Sequence, residues 1–139
     1  MNVYDIEQNV GFLLSKAYQK GFSLFREQLL PYNITPPQFS ILAFLWKEDG
    51  LSQTELCDRS QVDRATMVGL VDRLEDVGLV KRHAHDGDRR AYRVCLTDKG
   101  KSLKEPLCAI ATDVTEGFTT RLTAKEVDTL RGLLNKLRR

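Results

Sequence analysis

The chain has 139 residues, 42% of them hydrophobic and 29% charged, with a formal net charge of +2. That composition supports one globular domain with a core and is too short for a catalytic domain joined to a regulatory one. The charge is too small to indicate nucleic acid unless the basic residues are concentrated locally. The N-terminus MNVYDIEQNV lacks the apolar core of a signal peptide, and no apolar run approaches membrane-spanning length, so the expected location is the cytoplasm.

In chain order, Ile6, Val10, Leu13, Leu14, Ala17, Tyr18, Phe25 and Leu29 recur at helical spacing, predicting a helix over about 4–29 that Pro31 ends. Thr35-Pro36-Pro37-Gln38 combines a capping residue, a proline at the first helical position and a glutamine at the third. It opens a second helix over about 36–48, with Phe39, Leu42, Leu45 and Trp46 inward. Ser52-Gln53-Thr54-Glu55 is a capping box for a short helix over about 53–59. Asp63 caps a helix over about 63–77, whose buried face is Met67, Leu70, Val71, Leu74 and Val77 and after which Gly78 stands.

The period then changes. Residues 79–83 and 92–96 favour strands and flank the turn-rich segment His85 to Arg90, which reads as a hairpin. In its second run Tyr92, Val94 and Leu96 share one face, with Arg93 and Cys95 on the other, outward face. Thr97 caps a helix over about 98–118 with a stripe of Leu103, Leu107, Ile110, Val114 and Phe118, kinked at Pro106. The capping box Thr123–Glu126 opens the last helix, about 124–138, with Val127, Leu130, Leu133, Leu134 and Leu137. The fold class is thus mainly α with one small β-hairpin.

The middle, 35–97, reads as a self-contained unit; the ends, 1–34 and 98–139, are amphipathic helices with stripes to bury. Packing within one chain is one solution, and packing on the same helices of a second chain, as a homodimer, is the favoured one.

Residues 53–77 have the form of a helix-turn-helix, with its tight connection at Arg59–Val62. With Met67, Leu70, Val71 and Leu74 inward, the face towards DNA holds Arg64, Thr66, Val68 and Arg73. Arg64 suits guanine edges or a phosphate, Thr66 either, Val68 a thymine methyl, and Arg73 a phosphate. Gln53, Thr54, Ser60 and Gln61 lie where phosphates pass. Between 81 and 93 the hairpin carries five basic residues (Lys81, Arg82, Arg89, Arg90, Arg93) against Asp86 and Asp88. Such a ribbon can follow DNA into the minor groove, where Asp88 would hold the Arg90 guanidinium in one pose.

The run Asp88-Arg89-Arg90-Ala91-Tyr92-Arg93-Val94-Cys95-Leu96-Thr97-Asp98-Lys99-Gly100 resembles the DRR-x5-LTxxG wing signature of the MarR family. Leu51 to Leu56 and Leu70 to Arg82 resemble that family's helix-turn-helix. The resemblance implies a winged helix-turn-helix flanked by dimerisation helices, binding double-stranded DNA at an inverted repeat. It also implies a repressor released by a small aromatic or phenolic ligand. Where the family commonly carries a polar or basic pair, this chain has Val68 and Gly69, so no operator sequence carries over. For the ligand, some of Phe12, Phe22, Phe39 and Trp46 would line a crevice, with Ser15 or Lys16 as a polar anchor.

Two alternatives stand beside this reading. Cys57, Cys95 and Cys108 form neither a disulfide framework nor a zinc set, yet would suit a thiol-based redox regulator; the family's peroxide sensors place their cysteine in the first helix, where this chain has none. A non-regulatory architectural DNA-binding protein is the other. His83 and His85 with Asp86 lack a matching ligand cluster, and no catalytic fingerprint occurs, so neither metal, cofactor nor enzymatic activity is expected.

Overall fold

The computed structural model describes the backbone of residues 3–85 and 88–139 and the side chains of residues 3–84 and 92–139. Its helices are α1 (Val10–Leu29), α2 (Pro36–Lys47), α3 (Gln53–Ser60), α4 (Arg64–Asp76), α5 (Asp98–Ser102), α6 (Lys104–Phe118) and α7 (Ala124–Leu137). The strands are β1 (Leu51–Ser52), β2 (Val80–His85) and β3 (Asp88–Leu96). They form an antiparallel sheet in the order β1-β3-β2, with Leu51 opposite Val94 and Arg82 also opposite Val94 from the other side.

The caps act as the sequence requires. Ser52 Oγ accepts from the Glu55 N–H at 3.1 Å. Thr123 and Glu126 satisfy each other's backbone N–H groups at 3.1 and 3.0 Å. Gln38, buried, accepts the Thr35 N–H on its side-chain oxygen at 2.9 Å. Gly78, at φ +77°, terminates α4 in the left-handed conformation, and the Leu79 N–H returns to the Leu74 carbonyl at 2.9 Å.

The core lies in the middle of the chain. Ile41, Leu42 and Leu45 of α2 pack with Leu56 of α3, with Met67, Leu70, Val71 and Leu74 of α4, with Leu79 before β2, and with Val80 and Val94 of the sheet. Of the apolar side chains on the flanking helices, only Leu29 of α1 and Leu107 of α6 are fully buried among the described residues. No residue of α7 is buried.

Four expectations are corrected. The first helix does not begin at residue 4: a 3-10 turn, Ile6–Gln8, precedes Asn9, whose side chain accepts the Phe12 N–H at 3.0 Å and starts α1. The helix expected over 98–118 is two, broken at Leu103, so Pro106 occupies the first turn of α6, where its missing N–H costs nothing, and kinks no helix. The hairpin is longer than expected and gains a third strand, β1. Cys95 does not lie on an open face; it is half-buried near Gly50 and Asp49.

No helix among the described residues is long and apolar enough to cross a membrane.

Candidate nucleic-acid interface

The α4 helix is amphipathic in the sense its sequence requires: Met67, Val71 and Leu74 are fully buried and Leu70 nearly so, leaving Arg64, Ala65, Thr66, Val68 and Arg73 exposed. Val68 retains 40% of its surface on the exposed face, where its methyl groups are available for contact. Asp63 caps the helix through the Thr66 N–H at 2.8 Å and the Thr66 hydroxyl, which donates at 3.0 Å. The backbone bond from Thr66, and then its hydroxyl, hold the Asp63 carboxyl below the usual carboxylate range. Thr66 is thereby engaged with its own cap, and the Arg64 side chain in the same turn is exposed and has no hydrogen-bond or ion-pair partner among the described residues.

The structure separates the expected phosphate-side residues. Thr54 is exposed on α3. Ser60 turns its hydroxyl back onto the Leu56 carbonyl at 2.5 Å. Gln61 ends α3 at φ 56° and exchanges two bonds with Arg138, beyond α7: its Nε2 donates to the Arg138 carbonyl at 2.6 Å, and the Arg138 guanidinium donates to its Oε1 at 3.1 Å. Arg73 lines a cleft of about 350 Å³ with Arg26 of α1 and Asp76 of α4.

Gln53 is half-buried, its side-chain oxygen accepting from the Arg82 Nε at 2.8 Å. Arg82 is the main surprise. Counted among the basic residues of the hairpin, it instead points inward, its side chain only 16% exposed, against Asp72 and Glu75 of α4. Local sequence contained one signal for this, two carboxylates three residues apart on α4 with an arginine entering the next strand, but that signal has no direction until the strand is placed. Asp88, Arg89 and Arg90 fall within β3, and their side chains, with the expected Asp88–Arg90 pair, lie outside the described residues, as do Asp86 and the His85 side chain.

The expected ligand residues are brought together only in part. Phe39 meets Phe25 edge-on at 4.9 Å and Trp46 at 5.8 Å between ring centroids. Phe12, Ser15 and Lys16 lie further along α1: Lys16 Nζ sits 5.5 Å from the Phe12 ring and donates to Gln19, while Ser15 donates to the Phe12 carbonyl. An apolar groove of about 770 Å³ does run between α1, α2, α6 and α7, and of the expected residues it takes Phe22 and Phe39. Its other walls include Tyr18, Phe25, Phe118, Leu130 and Leu134, contributed partly by α6 and α7, which lie far from α1 and α2 in sequence.

All three cysteines are free and half-buried. Burial, followed by the negative charge of Asp49, pushes the Cys95 thiol up from its usual value. The thiolate is the reactive form, so this shift disfavours reactivity at Cys95.

Comparison with known proteins gives one answer. Residues 32–91 match the model of the MarR family. The chain is 36% identical to the HTH-type transcriptional repressor NicR of Pseudomonas putida, over 96% of this chain and 85% of that one. It superposes with a TM-score of 0.91 and 28% identity on a structure described as the mechanism for regulation of DNA binding of Bordetella bronchiseptica BpsR by 6-hydroxynicotinic acid, covering 99% and 98% of the two chains. A mutant MarR from E. coli complexed with operator DNA gives a TM-score of 0.87 at 30% identity, covering 99% of each chain. Together with the buried-and-exposed partition of α4 and the hairpin that follows it, these matches establish that the chain belongs to the MarR family, whose relatives here are transcriptional regulators.

Proposed function

We propose that the protein is a cytoplasmic, homodimeric repressor that binds an inverted-repeat operator and is released by a small aromatic acid. The carrying observation is α4: a sealed face of Met67, Val71 and Leu74 opposite a free face of Arg64, Val68 and Arg73, in a chain 30% identical to one crystallised on operator DNA. On this reading residues 35–97 form the DNA-reading unit. α4 lies in the major groove through its N-terminal half, and the hairpin, with Arg89 and Arg90, lies along the minor groove.

Residues 1–34 and 98–139 form the dimer interface. In the single chain Val10 and Leu137 are each 65% exposed, and Leu13 and Leu133 about half exposed, which leaves apolar stripes on α1 and α7 that a second copy would cover.

The groove beside Phe39 is the proposed effector site. Its walls are aromatic and aliphatic, with Tyr18, Ser40 and Thr115 as polar contacts. NicR is named a repressor and BpsR is described as regulated by 6-hydroxynicotinic acid, which supports an aromatic carboxylate as the effector class. Selection of bound sites from random-sequence DNA tests the reading: a palindrome with half-site centres about 10 bp apart is expected. Enrichment of no sequence, with uniform coating of DNA, would replace it with an architectural role.

A further inference from the structure

We propose that Arg82 is a positioning residue for DNA binding: it sets the side-chain amide of Gln53 with its nitrogen outward, towards the phosphate backbone, and ties the wing to the recognition helix in the same contact. This rests on the DNA-binding reading above.

One guanidinium joins three elements. Its Nε donates to Gln53 Oε1 of α3 at 2.8 Å. One terminal nitrogen lies 2.7 Å from the Asp72 carboxylate and also contacts Glu75, both on α4; the other donates to the Val68 carbonyl at 3.2 Å. The backbone N–H of Arg82 adds a bond to Glu75 Oε2 at 3.1 Å. β2 is an edge strand, so this N–H would otherwise have no partner in the sheet.

The consequence for Gln53 follows from donor and acceptor counting. A guanidinium has five donors and no acceptor, so the amide atom facing it is the oxygen. The other end, the NH₂, is then left with donors alone, and donors are what a phosphate oxygen accepts. An amide without that restraint can rotate its oxygen towards the phosphates, where it is repelled. Lysine cannot replace arginine, because one ammonium does not reach Gln53, Asp72 and Glu75 in a fixed fork. The same contact offsets one of the two carboxylate charges, Asp72 and Glu75, on the helix that enters the groove.

The test uses the full-length dimer and the DNA site that the wild type selects from random sequence. Gln53→Ala and Arg82→Met should each weaken binding about tenfold, the scale of a hydrogen bond to a charged group. The double variant should bind within about twofold of the weaker single, because both changes remove one phosphate contact. Gln53→Glu keeps the acceptor for Arg82 and removes the donor; it should melt like the wild type and bind at least as weakly as Gln53→Ala. This variant decides the matter even if Arg82→Met fails to fold. Losses that multiply in the double variant, or wild-type binding by Gln53→Glu, overturn the proposal and leave the DNA-binding reading standing. A wild type that selects no site overturns both.

Discussion

The indole N–H of Trp46 donates to the carbonyl oxygen of Gly100 at 2.9 Å, fastening α2 to the short helix behind the wing. Gly100 is buried, and a Cβ built on it would lie 2.1 Å from the Leu79 carbonyl oxygen. The glycine that closes the LTxxG run is therefore fixed by backbone-to-backbone contact. Thr97 supports the same junction, its hydroxyl donating to the Gly78 carbonyl at 2.6 Å and accepting the Gly100 N–H at 3.1 Å. Gly100→Ala should cost about 1–3 kcal/mol or more through overpacking against backbone that cannot yield. Denaturant unfolding followed by Trp46 fluorescence measures this, and unchanged stability would show that the junction yields.

Asp63 gives a pH dependence with a definite sign. Its folded-state carboxyl is held below the usual range by Thr66, so it supplies stability that is fully present above the ordinary carboxylate value and is lost as the pH falls through the lower, folded value. The difference in melting temperature between wild type and Asp63→Ala should be constant near neutrality and shrink towards zero in acid. A difference that grows on acidification would mean that the cap is not the cause.

Much of this was legible in the sequence because helix starts and sealed faces are local properties. Ser52, Asp63 and Thr123 each reach a backbone N–H three residues on, and the spacing of Met67, Leu70, Val71 and Leu74 already divides α4 into two faces. What escaped was decided at a distance. β1 is two residues, too short to have a period, and exists only because Leu51 and Ser52 meet Val94 and Arg93. Pro106 suggested a kink, but a proline in a first turn is as compatible with a new helix, and the chain starts α6 at Lys104. Arg82 carried the same charge as Arg89 and Arg90; only the placement of β2 over α4 turned it inward.

The wing should matter for affinity and not for folding. β3 holds Arg90 by its backbone, and the residue has no apolar role in the sequence. Arg90→Ala should leave the melting temperature nearly unchanged and weaken binding to the selected site by about 1–3 kcal/mol. Wild-type affinity would remove the wing from the interface.

On the proposed reading, dimerisation rests on the exposed stripe of α7. Replacing Leu133 and Leu137 together with glutamate forfeits roughly 1.5–3 kcal/mol for each leucine that the partner fully buries, before charge repulsion is added. Sedimentation should show a monomer, and affinity for the palindrome should fall with it. A variant that stays dimeric at micromolar concentration would place the interface elsewhere.

The effector reading makes a reciprocal demand. Leu130 and Leu134 of α7 wall the aromatic groove, and Arg138, one further turn along the same face, holds Gln61 in the connection that precedes α4. A ligand that moves α7 therefore acts on the entry to the recognition helix through a direct bond. If an aromatic acid such as 6-hydroxynicotinic acid favours the DNA-free arrangement by ~100-fold, the coupling is about 2.7 kcal/mol, and bound operator must weaken the ligand by the same ~100-fold. Trp46, which meets groove residue Phe39 edge-on, reports the ligand by fluorescence, and a labelled operator reports the DNA. Both titrations, each with and without the other component, should return one factor. Substituting Gln61→Ala should leave ligand affinity for the free protein intact while reducing that factor towards one. Ligand binding with no change in operator affinity would mean that the groove is occupied without consequence for DNA. A factor that survives Gln61→Ala would route the coupling through α1 and α2 instead, by way of Phe25 and Phe39.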